Sequence, residues 1–158
     1  DGAGALQGVH RTWLAPDGQG KAAVETPRRA MGHLLGNAVR LSPGDEILVV
    51  GEGIETMLSI REAVPSLPVW AALSSSHLGA VILPAAVQRF YIAVDRDPAG
   101  ARAAERLSAR ASEAGVQAIV LEPQLGDFND DIRAYGREAL RQHLAAQIGS
   151  EDQLRLQI

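Results

Sequence analysis

The chain has no cysteine among its 158 residues. Disulfides, thiol catalysis and cysteine-built zinc sites are thereby excluded. Aromatic residues are scarce, at 4%, so Leu, Val, Ile and Ala must fill the interior. There is no surplus of positive charge, the formal net charge being −4. A protein that coats nucleic acid through bulk basicity is therefore not expected. Local acid, which a metal site needs, is compatible with that balance. No apolar run approaches the roughly 20 residues that cross a bilayer, and the N-terminus lacks the pattern of a secretory signal. No membrane partner and a cytoplasmic location are the expectations. The sequence starts at Asp1 rather than a methionine, which reads as a piece of a larger protein with further domains elsewhere.

What is present is a 46% share of hydrophobic residues, enough for one globular domain with a buried core. Residues 1–44 form a first region. It begins Gly-rich, and strands are expected over 9–14, over 21–24 after the turn signal Pro16-Asp17-Gly18, and over 38–41. Arg11, Lys21, Arg28, Arg29 and Arg40 make this region basic. They are candidates for a wall that meets template or nucleotide phosphates, with a solvated surface as the plainer alternative. Trp13 either stacks a base or packs within the cap.

Ser42-Pro43-Gly44-Asp45 is a break. Residues 45–149 then alternate compact apolar runs with helical periodicity, and 150–158 form a polar tail. Strands are expected at 47–50, 69–73, 90–94 and 116–121. One helix is expected over 54–64, with Ile54, Met57, Leu58, Arg61 and Val64 at helical spacing. A second opens at Pro98, with Ala104, Leu107, Ala111 and Ala114 as its inner stripe, and a third runs over 131–148. Such alternation implies an α/β fold: a Rossmann-like parallel sheet of about four strands flanked by helices, plus a small N-terminal β-rich segment. In these sheets ligands bind beyond the carboxyl ends of the strands.

Acidic groups stand in that place. Glu52 follows the first core strand between Gly51 and Gly53. Asp95 and Asp97 follow the third strand, and two residues apart in extended chain they would point the same way. Asp127, Asn129, Asp130 and Asp131 follow the fourth. Carboxylates so clustered repel one another unless a cation lies among them, and hard oxygen donors suit Mg²⁺ or Mn²⁺. Each acid also has a plainer reading. Glu52 favours the positive end of a helix, Asp97 before Pro98 is a good N-cap, and residues 127–131 cap the last helix. Three acidic stations at three strand ends are hard to obtain from capping alone.

The segments Val49-Val50-Gly51-Glu52-Gly53-Ile54-Glu55-Thr56, Val94-Asp95-Arg96-Asp97-Pro98-Ala99-Gly100 and Gly126-Asp127-Phe128-Asn129-Asp130 occur in the order of the motifs of the Toprim family. That family includes primases, topoisomerases, OLD-type nucleases and recombination proteins of the RecR type. The resemblance is to its primase-like members, and it extends to residues 8–14 and 36–41. It implies a Toprim domain over 45–149 that performs metal-dependent nucleotidyl transfer. Ribonucleoside triphosphates would be joined on a single-stranded DNA template, with Mg²⁺ or Mn²⁺ as cofactor. A helicase or zinc-binding module would act with it on another domain or chain. By position, Glu52 matches a general acid/base and metal neighbour, and Asp95 and Asp97 match the chelating pair. Asp127, Asn129 and Asp130 are weaker matches as further ligands, with Asn129 and Arg96 also among the candidate nucleotide contacts. Glu55 is either a supporting acid or surface, and Arg96 points away from the ion, toward phosphate or an acid. Gly126 departs from the family, standing where many primases carry lysine. A nuclease using the same acids is the alternative activity, and a non-catalytic scaffold of a replication or conjugation complex is the alternative class. The four histidines show no metal spacing, and His77 reads as a surface residue.

Overall fold

The computed structural model describes residues 4–158. The N-terminal arm is a two-stranded antiparallel hairpin, β1 (Gly8–Thr12) and β2 (Arg28–Gly32), with Arg11 opposite Arg29 and Thr12 opposite Arg28. The expected return strand at 21–24 reduces to a single bridge between Leu14 and Lys21. The ladder cannot resume before Pro27, which has no N–H to give. Pro27 only accepts, from the Trp13 amide at 2.9 Å, and β2 begins at the next residue.

The arm's last strand, β3 (Val39–Arg40), leaves the hairpin and joins the main sheet. That sheet has five strands in the order β3-β5-β4-β6-β7, one more than expected. β4 (Ile47–Gly51), β5 (Val69–Ala71), β6 (Arg89–Ala93) and β7 (Gln117–Leu121) are parallel, and β3 is antiparallel to β5. Ser42 Oγ accepts from the Val69 amide at 2.8 Å, the Trp70 indole donates to the Ser42 carbonyl at 3.1 Å, and Arg40 lies over the Trp70 ring. Residues 39–42 thus cover an edge that would otherwise be open.

Side chains alternate across the sheet and divide the core in two. Val49 and Tyr91 face one way, toward Met57 and Ile60 of α1 (Ile54–Ala63), Phe128 of α4 (Phe128–Tyr135), and Leu140 and Leu144 of α5 (Arg137–Gln147). Leu48, Val50, Phe90 and Ile92 face the other way, toward Leu78 of the single turn α2 (Ser75–Leu78) and Leu107 of α3 (Pro98–Glu113). Each fully buried side chain of this kind contributes about 1.5–3 kcal/mol. Leu58 and Ala114, expected on inner stripes, are exposed, while Thr56, Ser59 and Ala103 are buried instead. The last expected helix is two helices that start earlier, at Phe128, and are broken at Gly136, whose φ of +86° is a conformation that glycine adopts at little cost.

The polar tail is a helix, α6 (Ser150–Leu156). Its Asp152 is buried, accepts a 2.5 Å hydrogen bond from the Tyr91 hydroxyl and pairs with Arg89. These contacts fasten the C-terminus to the interior strand β6.

Candidate functional site

The ends of β4 and β6 fix the geometry. Gly51 sits where a Cβ would stand 2.5 Å from Met57 Sδ and 3.0 Å from the Ala93 carbonyl, so only glycine lets the two strand ends and α1 approach this closely. The chain then turns out and presents Glu52. Its carbonyl accepts from the Leu73 amide at 2.8 Å, and its carboxylate accepts from the Ser75 amide. Leu73 is held at φ +77°, an uncommon conformation for a branched residue. It lies two residues past the end of β5 and lines the site, a role that sequence reasoning missed because nothing in Leu73 itself announces it.

After β6 the backbone does not stay extended. The Asp97 amide donates to the Asp95 carbonyl at 2.7 Å, a three-residue turn. The period-two argument for Asp95 and Asp97 therefore fails, and the turn sets their directions instead. Asp97 takes its plainer role: Oδ1 accepts from the Ala99 and Gly100 amides at 2.8 and 2.7 Å and caps α3. Gly100 is required here, since a Cβ would come within 2.6 Å of the Asp95 carbonyl oxygen. Asp127 caps α4 in the same way, accepting from the Asp130 amide at 2.8 Å. Each cap occupies Oδ1 and leaves the second oxygen of the carboxylate uncommitted.

Asp95 differs from both. Its Oδ1 is buried and has no hydrogen-bond partner. Desolvation, then the charges of Glu52, Asp127, Asp97 and Asp130, push its pKa up to about 6. Glu52 is also raised, first by desolvation and then by Asp97, with the Ser75 amide and Arg28 working in the opposite direction. Carboxylates from three strand ends thus share one field, as the sequence predicted. A buried, unsatisfied carboxylate oxygen among like charges is costly, and a cation relieves it. Among the described residues no three histidine, aspartate or glutamate side chains stand close enough to enclose an ion as they are. Such side chains repel one another, and two of them are turned to caps.

A cleft of about 260 Å³ joins Glu52, Asp95, Asp127 and Asn129 to Lys21 and Arg28 of the arm. Arg28 crosses to pair with Glu55 on α1. Burial works to raise the Glu55 pKa, but its backbone amide and the Arg28 guanidinium outweigh it and hold the carboxyl below its usual range. Asn129 lies beside Ser59, Oδ1 to Oγ 3.4 Å. Asp97 and Asp130 lie outside this lining but within range of Asp95. The donor set is all oxygen and the buried Asp95 oxygen points to a missing cation, so the residues fit a hard divalent ion.

The expected basic wall is not one surface. Strand alternation sends Arg11 and Arg29 to the outer face, where Arg11 lies over Trp13 and contacts Met31 Sδ at 3.9 Å. Arg40 lies over Trp70. Arg96 donates to the Gln124 carbonyl at 2.9 Å rather than pairing with an acid. Asp131, read as a possible ligand, is buried and accepts the Gln124 and Leu125 amides at 2.8 Å each, shaping the loop before α4. His77 is half-buried rather than on the surface, with its Nδ1 unpartnered.

Residues 1–41 match a domain of unknown function, DUF7146, and residues 47–138 match the Toprim domain. A comparison with curated proteins gives no match. Among solved structures, the chain is similar to a DNA primase domain from Pseudomonas aeruginosa, with a TM-score of 0.63 at 18% identity, covering 93% of this chain and 49% of that one. It is also similar to the primase fragment of the bacteriophage T7 primase-helicase protein, with a TM-score of 0.53 at 19% identity, covering 69% of this chain and 46% of that one. The chain therefore spans about half the length of either structure. The Toprim match takes in the strand ends, the glycine-flanked Glu52 and the capped Asp97, and the chain belongs to the Toprim domain family.

Proposed function

We propose that this chain is the Toprim part of a primase and carries out metal-assisted nucleotidyl transfer, joining ribonucleotides on a single-stranded DNA template. The observation that carries this reading is the cleft in which Glu52, Asp95 and Asp127 face Lys21 and Arg28. Acid to hold a cation and base to hold phosphate oxygens stand on one wall each, which is what phosphoryl-type chemistry needs. The likeness to the Pseudomonas aeruginosa primase domain covers the arm as well as the sheet, which supports primase over a nuclease built on the sheet alone.

Glu52, Asp95 and Asp97 are the candidate catalytic and metal-holding residues, with Asp127 and Asp130 as further ligands and Asn129 as a polar contact. Mg²⁺ or Mn²⁺ bound there would neutralise phosphate charge and orient the attacking and leaving oxygens. Lys21 and Arg28 would hold triphosphate oxygens, and Glu52, with its raised pKa, would take or give a proton at the 3′ hydroxyl. A helicase or zinc-binding module on another domain or chain would supply template delivery. Among the described residues no helix is long and apolar enough to cross a membrane.

Titration with Mn²⁺ by calorimetry tests the site. Binding to the wild type and its loss in Asp95→Asn/Asp97→Asn are expected, and unchanged affinity would remove both residues from it. Incubation with template, ribonucleotides and Mn²⁺ tests the activity. Labelled oligoribonucleotides support primase, shortened DNA supports nuclease, and neither product with metal binding intact returns the chain to a scaffold.

A further inference from the structure

Three arginines, Arg102, Arg106 and Arg110, stand four residues apart along α3 and so share one stripe. Arg110 has a structural use. Its Nη1 donates to the Gly79 and Val81 carbonyls at 3.2 and 2.8 Å and ties α3 to the end of α2. Arg102 and Arg106 are exposed, and among the described residues neither guanidinium has a hydrogen-bond or ion-pair partner. Like charges one helical turn apart are mildly destabilising, so the pair costs stability and the fold makes no use of it.

The Arg106 stem is nevertheless held. It runs against Gly79, where a Cβ would stand 3.0 Å from Arg106 Cδ and 3.5 Å from Arg106 Cβ. The glycine lets α2 and α3 close on each other and fixes the root of that side chain. Between the two helices lies a cavity of about 120 Å³, lined by Ser75, Ser76, Ala99, Arg102, Ala103 and Arg106. Among the described residues nothing bonds to either serine hydroxyl, and no carboxylate lines this cavity. Two guanidinium forks and two hydroxyls, with no carboxylate in the lining itself, match the oxygens of a phosphoryl group. The cavity also lies next to the acid cleft, because the amide of Ser75 is the one that bonds Glu52.

We propose that the hollow between α2 and α3 is a phosphate-binding subsite, separate from the acid cleft, that takes a phosphoryl oxyanion without a metal. The oxyanion could belong to a polynucleotide backbone or to a free polyphosphate, since both present the same oxygens.

Fluorescence anisotropy with a labelled oligothymidylate in EDTA, and calorimetry with tripolyphosphate in EDTA, separate the two sources. If the source is a polynucleotide, Arg102→Gln/Arg106→Gln weakens oligothymidylate binding about tenfold and flattens the slope of log K against log salt by about 1–1.5. If it is a polyphosphate, the same variant loses tripolyphosphate binding. Unchanged binding of both probes in that variant overturns the proposal, as does failure of the wild type to bind either probe. Both side chains are exposed, so the variant is expected to melt with the wild type. Asp95→Asn/Asp97→Asn should keep this metal-free binding. Failure of the acid cleft and failure of the subsite are therefore distinguishable.

Discussion

β2 and β4 are strands of the same length put to opposite ends. All five residues of β4 are buried, and all five residues of β2 are exposed. The sheet earns its stability from two packed faces, whereas the hairpin leaves Val9, Trp13 and Met31 open to solvent. What the arm contributes is placement: it carries Lys21 and Arg28 to a cleft whose acids all come from the strand ends and helices beyond residue 45. Scaffold and charge supply are thus divided between the two regions.

The largest expected effect tests that division directly. Phe90→Ala, at a fully buried position, should cost about 3–5 kcal/mol by denaturant melting, whereas Met31→Ala on the open hairpin should stay within about 0.5 kcal/mol. A comparable cost at both sites would mean that the arm has a core of its own.

An intermediate effect concerns Asp95. Its folded pKa of about 6 lies above the ordinary value of 3.8. Its contribution to stability is therefore full below about pH 4 and is lost as pH rises through 6. Asp95 is half-exposed, so screening reduces the effect, and Asp95→Asn should be more stable than wild type by about 1–2 kcal/mol at pH 7 in EDTA. The gain should vanish near pH 4 and shrink or reverse with Mg²⁺. Calorimetric melting at both pH values checks it, and no gain in EDTA would mean that the acids do not strain one another.

The smallest expected effect lies where the regions touch. Glu55→Gln breaks an exposed ion pair with Arg28 and should change stability by less than about 1 kcal/mol. A larger loss would show that the hairpin is anchored chiefly through this contact.

Strands β4, β5 and β6 were legible in the sequence because a strand buried on both faces is an unbroken apolar run, as at 47–50. Glu52 and Asp95 were legible because strand ends are where such sheets bind ligands. The rest was hidden for identifiable reasons. Arg28 and Arg29 differ only in which face of the hairpin each occupies, and that depends on the register with β1. Asp131 looks like its neighbours but is buried under two backbone amides. Asp152 sits in a polar stretch, and its partners Arg89 and Tyr91 are about sixty residues away in the chain. No local pattern carries that pairing.

The antiparallel strand β3 has a consequence for where the molecule can be divided. The Toprim match begins at residue 47, yet the sheet begins at Val39. A fragment trimmed to the matched residues would lose the cover over Trp70 and leave the backbone of β5 unpaired along one side. Unpaired strands of that kind recruit whatever strand is nearest, and in a concentrated solution that is another copy. Such a fragment would be sticky although its acids were all in place, and the unit that carries the acids is therefore shorter than the unit that can be purified.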